Sequence, residues 1–542
     1  MITKVRIRGY RKFRDFEFLP DAGMNILVGG NEAGKSTLLE AITMALTGRV
    51  NGVYAGEILN PYWFNQKLLD EFFDQIEKKS NGTLAYPEFR IDVHLEVGRG
   101  ELEKMRGINN LSNEDSVGLS IIARPDPEYL HELEEYFKQD DCPCVLPIEY
   151  YRLDWQNFAG MTVLRRPKDL SVAVIDTRTI RSDRGMDYYT KQLLEDRLDA
   201  RVRNQVSVEH RKMRAQLGDS VLESLNESLR RETDDEDVLG IGIQVDQSRS
   251  TSWTSTLIPE IDKIPFSLAG QGAQAYVKTA LALGRSSDTS GCILIEEPEN
   301  HLSHTRLREL LAYIETARGD RQVFVTTHSS YVLNRLGLSQ LTLLAPDGLP
   351  RNFNNLSKGT SEYFRKLSGF DTLRLILADH IVLVEGPSDE IVFNRFFKDR
   401  FDKEPLDFGV DVMSVGGVSF RRGFELASLM KRPLVALRDN DSKEPAHWQQ
   451  ALGDYRQKGV RDLFVGSPSQ GFSLEEQILK ANDDSTLRTA LDLGTSQEPL
   501  DWMTANKTEA ALRIAEFEGQ LNPPPYISDA LSTLAKRLGK RK

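Results

Sequence analysis

Residues 29–37 read GGNEAGKST and contain the spacing G-x-x-x-x-G-K-S. The apolar stretch NILVG precedes this loop, and STLLEAITMALT follows it with Leu and Ile at helical spacing. This order predicts a buried strand, a glycine-rich loop and a helix. Backbone amides in such a loop, together with the helix N-terminus, bind phosphate groups. The segment therefore predicts an α/β fold with a nucleotide site near the start of the chain.

Lys35 is expected to reach the terminal phosphates, and Ser36 is expected to ligate Mg²⁺. The loop residues predicted to bind the nucleotide are Gly29, Asn31, Gly34, Lys35, Ser36 and Thr37.

Three later segments provide further nucleotide-site candidates. CILIEEPENHL (292–302) is an apolar strand that ends in Glu296, a candidate Mg²⁺ ligand, and Glu297, a candidate base that polarises the attacking water. VFVTTHSS (323–330) ends a third strand on His328, a candidate γ-phosphate sensor. FSLAGQGAQ (266–274) places small and polar residues at a helix start, and the candidates there are Ser267, Gly270 and Gln271.

This order of motifs resembles that of ABC-type ATPases. The resemblance implies ATP as a cofactor. It also implies a homodimer or higher oligomer, because the signature loop of that class binds the nucleotide held by another subunit. The signature departs from the usual L-S-G-G-Q, since it reads SLAGQG here.

A second group of acids follows two later strands. IVLVEGPSDE (381–390) places Glu385 and Asp389 after an apolar run, and VALRDNDS (435–442) places Asp439 and Asp441 after another. Strands of a parallel sheet carry their sites at their carboxyl ends, so these acids are expected to converge. If the second strand continued, Asp439 and Asp441 would point the same way. Oxygen ligands of this kind suit two Mg²⁺ or Mn²⁺ ions acting on a phosphodiester. The alternative is an ordinary α/β domain with acidic strand ends.

This second pattern, with VGGVS (415–419) as a glycine turn, resembles the TOPRIM domain. An ABC-type head followed by TOPRIM is similar to the OLD (overcoming lysogenisation defect) nucleases. That resemblance implies a further metal ligand at Glu475, with Glu476 as the alternative, and a phosphate-stabilising Lys507. One departure lies in HLSH (301–304), where Ser303 stands at a position that is His in the family.

The resemblance implies a metal-dependent DNA endonuclease with ATPase activity, acting in anti-phage defence. The family also implies optional partners: a helicase-like protein, or a reverse transcriptase with an RNA–DNA hybrid. One alternative is an SMC- or repair-type ATPase clamp whose TOPRIM-like domain binds DNA without cutting it. A topoisomerase is a further alternative, but no nucleophilic tyrosine domain is identified.

Composition sets outer limits on these interpretations. The 542 residues carry a net charge of −12, which argues against a wholly basic nucleic-acid coat. No apolar run of 18 residues occurs, so no transmembrane helix is expected, and the N-terminus lacks a signal-peptide core. Three cysteines build no disulfide framework, which favours a reducing cytoplasm. CPC at 142–144 lacks the second pair that a zinc site needs.

The predicted architecture is an α/β ABC-type ATPase domain over 1–360 and a TOPRIM domain with C-terminal helices over 375–542. A charged segment at 186–231, nearly free of Gly and Pro, is predicted to be an inserted helical hairpin. It would serve either as a dimer contact or as a helix pair on its own domain. Basic runs at 6–14 and 536–542 would contact phosphates or simply face solvent.

Overall fold

The computed structural model describes most of the chain. The described residues are 1–78, 85–96, 102–139, 143–167, 170–176, 199–220, 222–232, 243–245, 259–283, 291–345, 348–366, 371–415 and 420–539. Contacts divide the chain into two compact units. The first contains Met1–Leu27 and Gly34–Thr327, and the second contains Val28–Ala33 and His328–Lys542. The predicted domain limits at 360 and 375 do not coincide with this division and stay a prediction.

The first unit begins with strands and mixes strands and helices thereafter. Its strands are β1 (Ile2–Tyr10), β2 (Phe13–Phe18), β3 (Met24–Val28), β4 (Arg49–Val50), β5 (Val53–Tyr54), β6 (Phe89–Leu95), β7 (Arg106–Gly107), β8 (Ser116–Pro125), β9 (Tyr151–Asn157), β10 (Ser171–Asp176), β11 (Glu260–Ile261), β12 (Ile264–Pro265), β13 (Gly291–Glu296) and β14 (Gln322–Thr326). Its helices are α1 (Lys35–Thr47), α2 (Gln66–Glu77), α3 (Leu130–Phe137), α4 (Ala200–Ser220), α5 (Leu222–Glu232), α6 (Gln271–Leu283) and α7 (His304–Ala317).

Two sheets organise the first unit. An antiparallel sheet has the order β2-β1-β6-β8-β7, with β9 also paired to β8. A parallel sheet places β10, β13, β14 and β3 side by side. Every residue of β3 and β14 is buried, as expected for strands covered on both faces. The carboxyl ends of β3, β13 and β14 therefore meet at one edge, where the motif residues follow them.

The predicted helical insertion falls partly within the described residues. Helices α4 and α5 occupy most of 199–232 and pack against each other, whereas 186–198 lies outside the described part. Residues along α4 are mostly exposed, including Val208 and Met213, each 52% exposed. A dimer contact through these helices stays a prediction.

The second unit continues with alternating strands and helices. Its strands are β15 (Leu341–Leu344), β16 (Pro350–Asn352), β17 (His380–Val384), β18 (Val410–Ser414), β19 (Leu434–Arg438) and β20 (Arg461–Val465). Its helices are α8 (Ser330–Leu336), α9 (Lys358–Lys366), α10 (Thr372–Leu377), α11 (Pro387–Phe401), α12 (Phe420–Leu429), α13 (Pro445–Ala451), α14 (Leu474–Ala481), α15 (Asp484–Ala490), α16 (Pro499–Ala505), α17 (Lys507–Glu516) and α18 (Pro525–Leu538).

A parallel sheet of order β18-β17-β19-β20 lies at the centre of this second unit. The predicted strand at 381–384 is its β17, and every residue of that strand is buried. Helices α11, α14, α17 and α18 contribute side chains to the same apolar core as β17 and β19. Because all strands run the same way, the residues that follow them lie along one edge of the sheet.

Candidate functional site

Two glycines of the 29–37 loop are required by close approaches. Gly34 has a φ of 98°, in the left-handed region, and a Cβ there would lie 2.7 Å from Cζ of Phe13. A Cβ on Gly29 would lie 2.5 Å from Cβ of Ala33. A side chain at either position would therefore force the loop apart. Helix α1 begins at Lys35, directly after the left-handed residue.

Lys35 lies among the acids that follow β13. Its side chain is buried, with 6% exposure, and burial lowers its pKa, while the charges of Glu297 and Glu296 oppose that shift. Glu299 acts on it in the same sense as the other two acids. The structure thus brings the predicted phosphate-binding lysine and the predicted Mg²⁺ and water-activating acids into one electrostatic group. Ser36 and Thr37 are partly buried in the first turn of α1, and Asn31 is exposed in the loop.

Glu297 has a constrained backbone. Its φ is 46°, which is uncommon for a residue with a side chain and costs of order 1–3 kcal/mol. Its amide donates to the Thr326 carbonyl at 3.0 Å, and Asn300 Nδ2 donates to its Oε2 at 2.9 Å. The neighbouring strand therefore fixes where this carboxylate points.

The signature segment faces solvent. Ser267 and Gly270 are exposed, Leu268 between them is 76% exposed, and Gln271 begins helix α6. His328 is also exposed, two residues after the end of β14. An exposed signature loop is accessible to another subunit, as the predicted assembly requires.

Ser303 has a local structural role. It is the N-cap of α7, and its Oγ accepts from the Arg306 amide at 3.4 Å. A serine suits this position, because a short hydroxyl satisfies an otherwise unpaired helix amide. The departure from the family histidine is thus explained by capping.

The basic run at 6–14 is largely neutralised by acids. Arg6 contacts Asp15 and Glu17, both at 2.9 Å, and Arg14 contacts Glu71 at 2.6 Å. These pairs favour the interpretation of a solvent-facing hairpin. In the other basic run, residues 540–542 lie outside the described part of the chain.

The second group of acids gathers at the carboxyl edge of the β18-β17-β19-β20 sheet. Glu385 follows β17 directly, and its Oε2 accepts from the Asp439 amide at 3.3 Å, directly after β19. Asp389 lies in the first turn of α11 and accepts from the Gly386 amide at 3.0 Å, as the acid of a capping box. Two adjacent strands and one helix start thus place three of the predicted ligands together.

Helix α14 adds the fourth acid, and helix α17 adds a lysine beside it. Its first amide, that of Leu474, donates to Asp439 Oδ2 at 3.2 Å. Glu475 follows and is 6% exposed. Lys507, the first residue of α17, lies with Nζ 3.5 Å from Glu475 Oε1. The alternative, Glu476, instead accepts from the Phe472 amide at 2.7 Å.

These carboxylates act strongly on one another. Burial, then the charges of Asp389 and Glu385, raise the pKa of Asp439 to about 8. Burial also raises the pKa of Asp389 to about 6, with Glu385 and Glu475 adding to the shift. The group therefore holds protons or attracts cations, because ionised carboxylates so close together repel one another.

Asp441 is placed differently. Strand β19 ends at Arg438, so the condition for Asp439 and Asp441 to share a direction is not met. Asp441 has a φ of 46°, its side chain is 55% exposed, and its Oδ2 accepts from Arg438 at 2.6 Å. The structure does not bring it into the group of the other acids, and its role as a ligand stays a prediction. The glycine turn at 416–417 lies outside the described residues.

Two residues of this region were missed by the sequence reasoning. Asn440 is fully buried, and its Nδ2 donates to the Gly471 carbonyl at 2.7 Å, which joins the β19 end to the segment before α14. Tyr526, in the first turn of α18, is buried beside the acids. Burial, and then their charges, raise its pKa well above the usual range. The position of Asn440 between two aspartates could have indicated its role from the sequence. No pattern around Tyr526 indicated that it would lie near the acids.

The donor set fits Mg²⁺ or Mn²⁺ in chemistry. All four acids offer oxygen only, and Asp439 Oδ1 is buried without a hydrogen-bond partner in the described residues. Over those same residues, no three His, Cys, Asp or Glu side chains are close enough to ligate one ion as they stand. Glu385, Asp389, Asp439 and Glu475 are the residues that would hold a cation, once their side chains move closer to one another.

Family models match three parts of the chain. The AAA domain family matches residues 4–139, and an AAA domain family described with the AbiEii toxin of type IV TA systems matches residues 155–334. Residues 376–441 match the family described as overcoming lysogenization defect protein-like, TOPRIM domain. The second parallel sheet belongs to an OLD-like TOPRIM domain. The predicted order of an ABC-type ATPase head followed by TOPRIM is confirmed.

Individual proteins resemble the chain more distantly. A protein of Helicobacter pylori named ATP/GTP phosphatase is 22% identical over 347 residues, 61% of this chain and 85% of that protein. The C-terminal region of the Burkholderia pseudomallei OLD protein is 19% identical, with 30% of this chain and 99% of that chain covered and a TM-score of 0.26. The SMC head domain from Thermotoga maritima is 13% identical, with 63% and 94% covered and a TM-score of 0.26.

The assignment rests on the family models and the two parallel sheets. ATPase domains and an OLD-like TOPRIM domain in one chain indicate an ATP-using, nuclease-like protein. Among the described helices, none combines the length and apolar character needed to span a membrane.

Proposed function

We propose that this protein is a divalent-cation-dependent DNA endonuclease whose activity is governed by an ATP-binding, dimeric head, and that it acts in anti-phage defence. The observation that carries the proposal is the group formed by Glu385, Asp389, Asp439 and Glu475 at the carboxyl edge of the TOPRIM sheet. Partly buried acids that repel one another destabilise the domain unless they bind something positive. A function in cation binding explains why the fold retains them.

Each residue of the group has a distinct task in this proposal. Bound Mg²⁺ or Mn²⁺ would supply the charge that stabilises attacking and leaving oxygens of a phosphodiester. Asp439, whose pKa is raised to about 8, would lose its proton when a cation binds. Lys507 is exposed enough to face a DNA phosphate, and its pairing with Glu475 fixes it beside the acids. In the overall reaction, water adds to phosphorus, a P–O ester bond breaks, and the leaving oxygen takes a proton.

The proposed role of the head follows from its own geometry. Lys35 would neutralise the terminal phosphates of ATP, and Glu297, held by Thr326 and Asn300, would orient the attacking water. The exposed Ser267 and Gly270 would contact nucleotide bound by another subunit.

Two other functions are separable from this one. A DNA clamp would bind DNA without cutting it. Among the described residues, no arrangement favours binding alone over cleavage. A topoisomerase needs an accessible, easily ionised tyrosine, whereas Tyr526, which lies beside the acids, is buried and has a raised pKa. This burial argues against Tyr526 as the nucleophile of a tyrosine-linked intermediate.

The test is plasmid cleavage by purified protein with Mg²⁺ or Mn²⁺, with and without ATP. We expect nicked or linear product, and we expect folded Glu385→Ala to lose cleavage while its ATPase rate is retained. Lys35→Ala is the reciprocal control, because it should lose ATP binding. Retained cleavage by Glu385→Ala would remove the assignment and favour the clamp.

The defence role has its own assay. Cells expressing the wild type should show fewer phage plaques than cells expressing Glu385→Ala. Co-purification from those cells would reveal a helicase-like partner, or a reverse transcriptase with an RNA–DNA hybrid. Equal plaque counts over a broad phage panel would contradict the defence role without affecting the nuclease assignment.

A further inference from the structure

Phe472 is an exposed aromatic residue beside the carboxylate group. Its side chain is 48% exposed, and it is the sole exposed phenylalanine among those that the structure describes. It lies between β20 and α14, two residues before Leu474, whose amide donates to Asp439 Oδ2. Two residues span at most about 7 Å between Cα atoms. The backbone of Phe472 therefore lies close to a residue that hydrogen-bonds to Asp439, next to the proposed cleavage site.

The backbone that carries Phe472 is fixed on both sides. Asn440 Nδ2 donates to the carbonyl of Gly471 at 2.7 Å, and the Phe472 amide donates to Glu476 Oε2 at 2.7 Å. Gly471 has a φ of 118°, and a Cβ there would lie 2.6 Å from Cβ of Glu476. These contacts fix the backbone at Phe472, while about half of its side chain stays exposed to solvent.

Single exposed apolar residues are common and need no function in themselves. Phe472 differs because the hydrogen bonds that fix it come from the middle of the DND segment and from α14, the two elements that carry Asp439 and Glu475. The backbone of Phe472 is therefore tied to both of the segments that carry these acids. A phosphodiester held at the acids has a nucleobase within a few ångströms of its phosphate, and base faces stack on aromatic rings.

Resting on the proposed nuclease function, we propose that Phe472 stacks on the base next to the scissile phosphate. In a regular duplex both faces of each base are already stacked on neighbours. A base that is unpaired, as in a gap, a flap or a single strand, has a face available to the ring. The residue thus makes the enzyme prefer DNA with an unpaired base at the cut.

The first test compares Phe472→Ala, Phe472→Leu and Phe472→Trp on a regular duplex, on the same duplex with a short gap, and on a gapped duplex that is abasic at the position next to the cut. We expect Phe472→Ala to lower kcat/KM on the gapped duplex by about 10-fold, mainly through KM. Phe472→Trp should retain the wild-type value, and Phe472→Leu should lose most of it. On the abasic substrate the wild type and Phe472→Ala should coincide.

Leu406→Ala is the matched control, because Leu406 is an equally isolated, 70% exposed apolar residue just before the amino end of β18. Leu406→Ala should show the wild-type kcat/KM on all three substrates. Wild-type cleavage by Phe472→Ala on the gapped duplex, or an equal loss on the abasic one, would overturn the proposal.

A second measurement separates stacking from cutting. Gapped oligonucleotides with 2-aminopurine next to the cut should lose fluorescence on binding the wild type, but not on binding Phe472→Ala. Quenching without any cleavage would retain the stacking role and refute the nuclease. Cleavage by the wild type without quenching would refute the stacking role alone.

Discussion

At the scale of single residues, Asp439 is the most sensitive member of the acid group, because burial first and neighbouring charges second favour its protonated form. The folded protein raises the pKa of Asp439 to about 8, whereas an unfolded Asp titrates near about 4. Folding thus favours the protonated form of Asp439. The contribution of this carboxyl to the free energy of unfolding is greatest below about pH 4 and is lost as the pH rises through about 8. With a chelator present, Asp439→Asn should melt higher than the wild type at pH 8, and the difference should shrink toward pH 5. Thermal melts across this range measure it.

The control for this comparison is Asp441→Asn, which changes an exposed carboxylate of the same segment. It should not reproduce the pH-dependent gain. Adding Mn²⁺ should raise the melting temperature of the wild type more than that of Asp439→Asn, because a cation replaces the protons. A wild type that is as stable as Asp439→Asn at pH 8 without metal would contradict the raised pKa of Asp439.

Lys507 provides a second residue-scale prediction. Its ammonium pairs with Glu475 at 3.5 Å and is otherwise exposed, so its removal deletes a charge from the phosphate side of the group. Lys507→Ala should slow cleavage by about 100-fold, comparable to the loss of one oxyanion-stabilising donor. Mn²⁺ binding, followed by calorimetry, should weaken far less. An equal loss in both measurements would make Lys507 a structural partner of Glu475.

At the scale of elements, helix α17 is held at its far end by Arg395 of α11. The Arg395 guanidinium donates to the carbonyls of Ala515, Phe517 and Gly519 around the C-terminus of α17. Because Lys507 begins this helix, the contact fixes the lysine relative to the helix that carries Asp389. Arg395→Met should lower cleavage in the wild type but add little to Lys507→Ala. A double-mutant cycle of cleavage rates measures this non-additivity.

Arg488→Met is the control for general destabilisation. Arg488 likewise donates to two loop carbonyls, those of Gly494 and Gln497, but it lies on α15 and does not hold α17. The two variants should lower the melting temperature by similar amounts, while Arg395→Met alone lowers cleavage. Full additivity with Lys507→Ala would indicate that Arg395 acts through stability only.

At the scale of the whole molecule, the exposed signature loop predicts assembly. An apolar Leu268 at 76% exposure, beside Ser267 and Gly270, suits contact with a second head. Glu297→Gln should bind ATP, hydrolyse it slowly and shift to a dimer in light scattering with ATP. Adding Leu268→Asp should return it to a smaller species, because a charge would be buried at the contact. A strict monomer of Glu297→Gln with ATP would contradict the dimeric head.

The sequence alone determined the order of the two domains and most of their motif residues. GGNEAGKST, IEEPE and LVEGPSDE are local patterns, in which a buried strand ends directly on the residue that acts. In a parallel sheet those ends share one edge, so a strand pattern and its next residue suffice to predict convergence. Glu385, Asp389 and Asp439 were therefore predictable in position, as was the group of Lys35 with Glu296 and Glu297.

Only the tertiary structure decided the rest, because it depends on contacts between distant segments. Strand β19 stops one residue before Asp439, so Asp441 turns out toward Arg438, and the spacing of D-x-D does not reveal this. Asn440, next to Asp439, bonds to Gly471, which lies 31 residues further along the chain. Tyr526 lies beside Asp439 although 87 residues separate them in the sequence. The free energy of such contacts comes from burial and from electrostatic interactions between segments that are distant in the sequence. The local spacing of residues predicts neither contribution.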